Sequence, residues 1–407
     1  MAEILPFEGV FFNLKKAGNI SSLIAPPYDV IKERSNFLSP YNITKLTLSW
    51  EENDYKQRGE LFRKWLKEEI LTVDSSPAFY LHYHYFTLEG KKFLRKGFFA
   101  LVKLYPFEEK VILPHEKTLA SPKEDRFKLL KEVKTSLEPV FFLLPDGLKV
   151  VKHLENARKE KIFEFEKGDE THLLFAVREE EIIDQIVREV DQKKLYIADG
   201  HHRYETSLLY SKENPSFTHI LGYLVAMEDE GLKILPAHRL IKSVPKTALL
   251  RLFEEGKKLF HFFHLDQEDF IKSLEEKGRK HHAFAMVRKG EKPVLIVSIN
   301  EKKVEEEISD HSPAWKKLDI SILHSVILEE IMGLKEEELQ SEGLLKYIVD
   351  RGEALRLIEK GDFVMGFFLN PTRIEEVKKV ADRGEKMPGK ATYFYPKVPS
   401  GLVIQKP

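Results

Sequence analysis

Leu195-Tyr196-Ile197-Ala198-Asp199-Gly200-His201-His202-Arg203-Tyr204-Glu205 is the stretch on which the reading of this chain turns. An apolar run suited to a buried strand meets Asp-Gly-His-His-Arg and passes into sequence suited to a helix. The first amides of a helix lack intrahelical partners and its dipole is positive there, so such a corner favours an anion. Gly200 lets the backbone bend and approach a phosphate with no Cβ in the way. Arg203 can grip phosphate oxygens as a planar fork, and His201 and His202 can donate hydrogen bonds. Asp199 can orient a histidine, hold a Mg²⁺ that bridges phosphate oxygens, or accept a proton. The plainer alternative makes Asp199 a helix cap and the histidines ordinary corner residues. Four functional groups within five positions favour the first reading.

On either side of the corner the pattern changes repeatedly between period 2 and period 3.6. The first 75 residues read as loops and helices, with a rigid Ala25-Pro26-Pro27-Tyr28-Asp29-Val30-Ile31 loop and an amphipathic helix near 57–70. Alternation over 78–105 around a Leu-Glu-Gly-Lys turn predicts a hairpin. Ser121-Pro122-Lys123-Glu124 predicts a helix with Ser121 as its cap, followed by a strand at 140–144. Strands are expected at 161–166, 173–177, 195–198 and 219–227, with helices at 179–190 and 203–212. Beyond Pro245 come helices at 246–255, 318–332, 352–359 and 373–381, and strands at 259–264, 282–287, 294–299 and 363–369. The class expected is α+β with mixed sheets. The regions expected are 1–139, 140–245 and 246–407, packed closely because no low-complexity linker separates them.

The whole chain has 407 residues, 65 Lys+Arg against 66 Asp+Glu, and no cysteine. A net charge of −1 argues against a nucleic-acid-coating protein or an anionic-membrane binder. Missing cysteine removes disulfides, thiolate nucleophiles and Cys-type metal sites. The 32% charged content and few glutamines hint at a thermophilic source. The N-terminal sequence lacks a signal-peptide pattern, and a cytoplasmic protein without a membrane span is expected.

Other residues are weaker candidates. Glu116, in Leu113-Pro114-His115-Glu116-Lys117-Thr118, could act as a general base or merely pair with Lys117 or Arg126. His238 and Arg239 could form a second phosphate clamp or a structural pair. Asp29 is more simply a loop cap than a ligand contact. Lys386, Lys390 and Lys397, on the aromatic tail, could form a cationic, aromatic-lined wall against a nucleotide base and its phosphates, but read more simply as lysines facing water while the rings plug a core. His82 and His84 share one strand face but show no third metal ligand nearby, and His281-His282 reads as a surface turn. P-loop, dinucleotide-fold, serine-hydrolase and zincin motifs are absent.

The Asp-Gly-His-His-Arg corner resembles the phosphate-binding motif of the ParB/sulfiredoxin-like superfamily, whose members include free-serine kinases that use a nucleotide as phosphate donor. Over nearly its full length the chain also resembles a prokaryotic family, domain of unknown function 1015. The segments that carry this second resemblance are Ala25–Ile31, Leu113–Thr118, Ile197–Glu205, Leu235–Ile241 and Met387–Leu402. The resemblance implies a ParB/sulfiredoxin-like core around the corner and a nucleotide-dependent phosphotransferase acting on a hydroxyl-bearing metabolite. Gly200, His201, His202, Arg203 and Arg239 would bind the nucleotide phosphates of ATP or ADP. Asp199 would hold Mg²⁺, and Asp199, Glu116, His202 and His238 would be the catalytic set. The alternative of another class is a non-catalytic protein that senses a nucleotide or other phosphorylated ligand.

Overall fold

The computed structural model describes residues 1–31, 37–51, 54–118 and 120–407. They form an α+β protein that divides into two compact units, each assembled from separate stretches of sequence. The first comprises Met1–Pro114, Thr118–Lys233 and Pro396–Pro407, and the second His115–Lys117 and Ile234–Tyr395. The boundaries expected at 139/140 and 245/246 delimit continuous regions, whereas these units are discontinuous.

The first unit is built on a mixed sheet. Its strands run in the order Ile112–Leu113, Leu195–Asp199, Val140–Leu144, His219–Ala226, Lys91–Lys103, Phe79–Leu88, Glu170–Val177, Lys159–Lys167. Leu195–Asp199 lies parallel to Ile112–Leu113, Val140–Leu144 lies parallel to His219–Ala226, and the other neighbours are antiparallel. Val140–Leu144 and Leu195–Ala198 are buried along their length and apolar on both faces, as strands covered on both sides must be. One face carries Phe79, Leu81, Phe98, Val102, Phe142, Ile197 and Leu224, and packs on Val150 and Leu154 of the helix Leu148–Asn156 and on Ile186 and Val190 of Glu180–Asp191.

The second unit has an antiparallel sheet in the order Phe260–His264, Val294–Ser298, Ala283–Arg288, Met365–Leu369, His238–Ile241, Leu345–Ile348. Successive side chains fill opposite cores. Phe284, Met286, Ile296, Ile241 and Phe367 enter one, while Ala285, Val287, Leu295, Leu240 and Phe368 enter the other. This period-2 alternation sends His238 and Arg239 to opposite faces.

Most expected elements form, and others were not foreseen, among them the strands His238–Ile241 and Leu345–Ile348 and the helix Phe270–Gly278. The helix Leu148–Asn156 was not foreseen, because nine residues display only the triplet Val150, Val151 and Leu154 as an apolar face. The stretch 318–332 is not one α-helix but Asp319–Ser321 followed by a π-helix, Ile322–Ile331. The N-terminal region also supplies strands, Ile4–Leu5 against Leu101–Val102 and Val10–Phe12 against Leu71–Val73. Ser121 lies within the helix Ala120–Val133 instead of capping it, and position 119 is outside the described residues.

Candidate functional site

The register of Leu195–Asp199 on its antiparallel neighbour slips between Ile197 and Asp199, a bulge that re-aims Asp199 at the strand's end. Gly200 follows at φ +89° as the cap of the helix His201–Glu213. A Cβ at this position would lie 2.9 Å from Arg203 Nε and Nη2. Glycine therefore satisfies a left-handed backbone and leaves room for the guanidinium to fold back over the corner. Arg203 Nη2 donates to Asp199 Oδ2 at 2.8 Å, and Lys397 Nζ donates to Oδ1. Lys397 is thus not the water-facing lysine expected, since its side chain is only 12% exposed.

A second carboxylate, not singled out in the sequence, completes the cluster. Glu138 is buried, accepts from Ser400 Oγ at 2.6 Å and from the Tyr28 amide at 3.2 Å, and stands 3.7 Å from Arg126 Nη1. The Arg126 guanidinium lies over the Tyr28 ring, 4.0 Å from its centre. Burial opposes the charge of Arg203, but Glu138, Asp199 and Asp29 outweigh it and hold its pKa above the ordinary value. Its Nε is buried without a hydrogen-bond partner. A cavity of about 50 Å³, lined in part by Arg126, Glu138, Arg203 and Ser207, adjoins it. His201 is buried and His202 half-buried on the first turn of the helix. One turn on, Glu205 Oε2 accepts from Thr118 Oγ1 at 2.7 Å and from Lys123 Nζ at 3.0 Å.

The first unit also contains a row of polar groups across its sheet. Arg95, His84 and His172 stand directly opposite one another on three adjacent strands. His84 Nε2 is 2.9 Å from Glu170 Oε2, with His172 Nε2 3.3 Å from the same oxygen. His172 Nδ1 lies 3.0 Å from His82 Nε2, and His82 Nδ1 lies 3.2 Å from the Tyr223 hydroxyl. One ligand atom each from His84, Glu170 and His172 falls within 4.8 Å of the others, a spacing suited to a metal ion. The protons oppose that use. A guanidinium can only donate, so the Arg95 Nη2 contact of 3.1 Å makes His84 Nδ1 the acceptor and leaves the proton on Nε2, facing Glu170. Neutral imidazoles passing their protons in one direction from Tyr223 toward Glu170 account for the row without a metal ion, although His172 Nε2, 3.3 Å from Glu170, lacks hydrogen-bond geometry. Burial pushes His84 down to about 3, and it lowers His82 and His172 as well. Burial would raise Glu170, but its contacts with His172 and His84 prevail and bring it down to about 2. Arg95 also donates to the Pro396 carbonyl, next to the lysine that holds Asp199.

The remaining sequence candidates belong to the second unit. Glu116 lies 4.0 Å from Lys390 Nζ, a partner different from the Lys117 or Arg126 expected. His115 Nε2 contacts Thr392 Oγ1 at 2.9 Å. His238 packs on Phe368, and its Nδ1 accepts the Leu369 amide at 3.3 Å. Burial, with the charge of Arg239 and Arg351, lowers it to about 3. Arg239 donates from Nε to His324 at 3.0 Å, from Nη1 to the Ala237 carbonyl, and from Nη2 to the carbonyls of Gly389 and Lys390. Burial lowers its pKa to about 10. His324 sits on the π-helix and its Nδ1 is 2.5 Å from Glu336.

Fold and corner together define an α+β protein with a buried arginine–carboxylate cluster at a glycine-marked strand-to-helix turn. The chain belongs to the family described as "Protein of unknown function (DUF1015)", whose model matches residues 4–321. Among solved structures it is similar to a conserved hypothetical protein from Pyrococcus furiosus, at 17% identity and TM-score 0.37, over 72% of this chain and 90% of that one. A free serine kinase in complex with AMP is similar at 17% identity and TM-score 0.37, over 70% and 84%. SbnI from Staphylococcus aureus, truncated at its C-terminus, is similar at 10% identity and TM-score 0.37, over 74% and 85%. At such TM-scores these likenesses carry no weight for function. No curated protein matches. Among the described residues, no helix is long and apolar enough to cross a membrane.

Proposed function

We propose that the Asp199–Arg203 corner binds the phosphates of a nucleotide, and that the protein transfers a phosphoryl group between that nucleotide and a small hydroxyl-bearing metabolite. The observation that carries this reading is the buried Nε of Arg203, a donor without a partner at a left-handed glycine turn that opens a helix. A phosphate oxygen supplies the missing acceptor, and the helix amides and His202 add further donors. Lys397 and Arg203 then exchange part of their bonding with Asp199 for bonding with phosphate. Asp199, relieved of those cations, is the carboxylate that would take Mg²⁺; a bound magnesium ion neutralises charge on the phosphates. Asp29 and Glu138 keep Arg203 charged, and Glu138 also fixes Tyr28 and Ser400. His238 and Arg239 go to opposite faces of their sheet and are not assigned to this corner, and neither is Glu116, which pairs with Lys390 in the second unit.

The test is a transfer assay on the full chain with ATP or ADP, Mg²⁺ and a panel of hydroxyl metabolites. Turnover that falls at least a hundredfold in both Arg203→Ala and Asp199→Asn supports a phosphotransferase. Nucleotide binding without turnover would make the corner a sensor of the ligand, and neither binding nor turnover would reject both.

A further inference from the structure

A cavity of about 360 Å³ lies wholly within the second unit. Its wall includes His282, read from sequence as part of a surface turn but only 8% exposed. The imidazole is fixed by a contact of 2.7 Å between Nδ1 and Asp319 Oδ1. Its Nε2 is buried and has no hydrogen-bond partner, the carboxylate of Glu305 standing 3.7 Å away. Nδ1 carries a proton toward Asp319, and Asp319 and Glu305, prevailing over burial, favour the imidazolium, in which Nε2 also presents an N–H to whatever enters.

The charges around the cavity are unequally satisfied. Glu301 contacts His281 Nδ1 at 2.6 Å and Ser298 Oγ at 3.0 Å, and Glu376 accepts the Arg373 amide at 2.8 Å. By contrast Arg279, Lys280 and Lys317 are exposed on the rim, and their side chains make no hydrogen bond or ion pair among the described residues. Among the described residues the side chain of Arg373 donates to the Gly278 carbonyl alone, at 3.3 Å. Unpaired cations above a fixed N–H donor suit an oxyanion, and the volume suits a small metabolite.

We propose that this cavity is a second binding site, which takes a small metabolite bearing a phosphate ester or several carboxylates. Its acid group meets Arg279, Lys280, Lys317 and Arg373, and one of its oxygens accepts from His282 Nε2. The site does not depend on the Arg203 corner. The test is calorimetric titration of inorganic pyrophosphate and of citrate into the full chain at low salt, with the His282 ring resonances followed by NMR. Saturable binding is expected, with a shift of the His282 signals and affinity at least tenfold weaker in the Lys280→Glu/Lys317→Glu variant. Both substitutions are on exposed side chains, so the fold is retained, and Arg203→Ala should leave this binding intact. Binding of pyrophosphate alone assigns the phosphate class, and of citrate alone the carboxylate class. The proposal is overturned if neither binds, or if binding ignores the charge reversal and leaves His282 unmoved. Binding that is lost only in Arg203→Ala likewise overturns it while leaving the corner's function standing.

Discussion

Arg203 is held by charge and by shape, and each can be tested separately. Removing it in Arg203→Ala leaves Asp199 to Lys397 alone and Glu138 to Arg126 alone, which costs on the order of 2 kcal/mol in urea unfolding. Arg203→Lys keeps the charge but loses the fork, so most of the stability should return while phosphate binding does not. Gly200→Ala should cost at least about 1–2 kcal/mol from the left-handed backbone alone. A stability equal to that of the parent protein would show that the turn is not needed to seat Arg203. The corner was readable in the sequence because its groups are contiguous from Asp199 to Arg203. Glu138 was not, since one glutamate in a chain with 32% charged residues looks solvated. Its burial is decided by Tyr28 and Ser400, 110 and 262 positions away.

Strand pairing accounts for what pattern alone left open in the two sheets. His82 and His84 were visibly on one face, but their partners His172, Glu170 and Arg95 are supplied by register with neighbouring strands, which sequence spacing does not specify. The row makes a pH prediction. His82, His84 and His172 have folded pKa values below the ordinary 6.5, so below that pH the unfolded chain binds more protons than the folded one. Stability is therefore full above pH 6.5 and falls on acidification, by on the order of 1 kcal/mol per imidazole at pH 5.5. Glu170, lowered to about 2, adds a further loss below its ordinary value of 4.5. His282, whose pKa is raised, contributes in the opposite sense, its stabilisation being complete below 6.5 and lost as pH rises. One raised imidazole does not offset the row, to which His238, His324 and His219, also lowered by burial, add in the same sense, so urea midpoints should drop between pH 7.5 and 5.5; an unchanged midpoint would contradict the neutral row. In the other sheet, Arg239→Ala should cost on the order of 3 kcal/mol, because His324 and the carbonyls of Ala237 and Gly389 lose a buried donor. A cost under 1 kcal/mol would show that the network does not hold the Gly389–Lys390 segment.

At the scale of the molecule, the α+β class and most elements followed from period and turn signals, whereas the grouping of those elements did not. Each unit draws on distant stretches: Lys397 and Ser400 join the first, and His115 and Glu116 join the second. The segments that carry the family resemblance divide accordingly. Tyr28, Thr118, Asp199, Arg203, Lys397 and Ser400 lie in the first unit, and Glu116, His238, Arg239 and Lys390 lie in the second. No local pattern announces such a division, because a unit is defined by which apolar faces cover one another. The central claim is that Arg203 holds a nucleotide's phosphates, and calorimetric titration of ATP with Mg²⁺ into the full chain tests it most directly. Saturable binding is predicted, retained in Lys280→Glu/Lys317→Glu and weakened at least tenfold in Arg203→Lys at a temperature where that variant is folded; absence of binding, or equal affinity with and without the arginine, would contradict it.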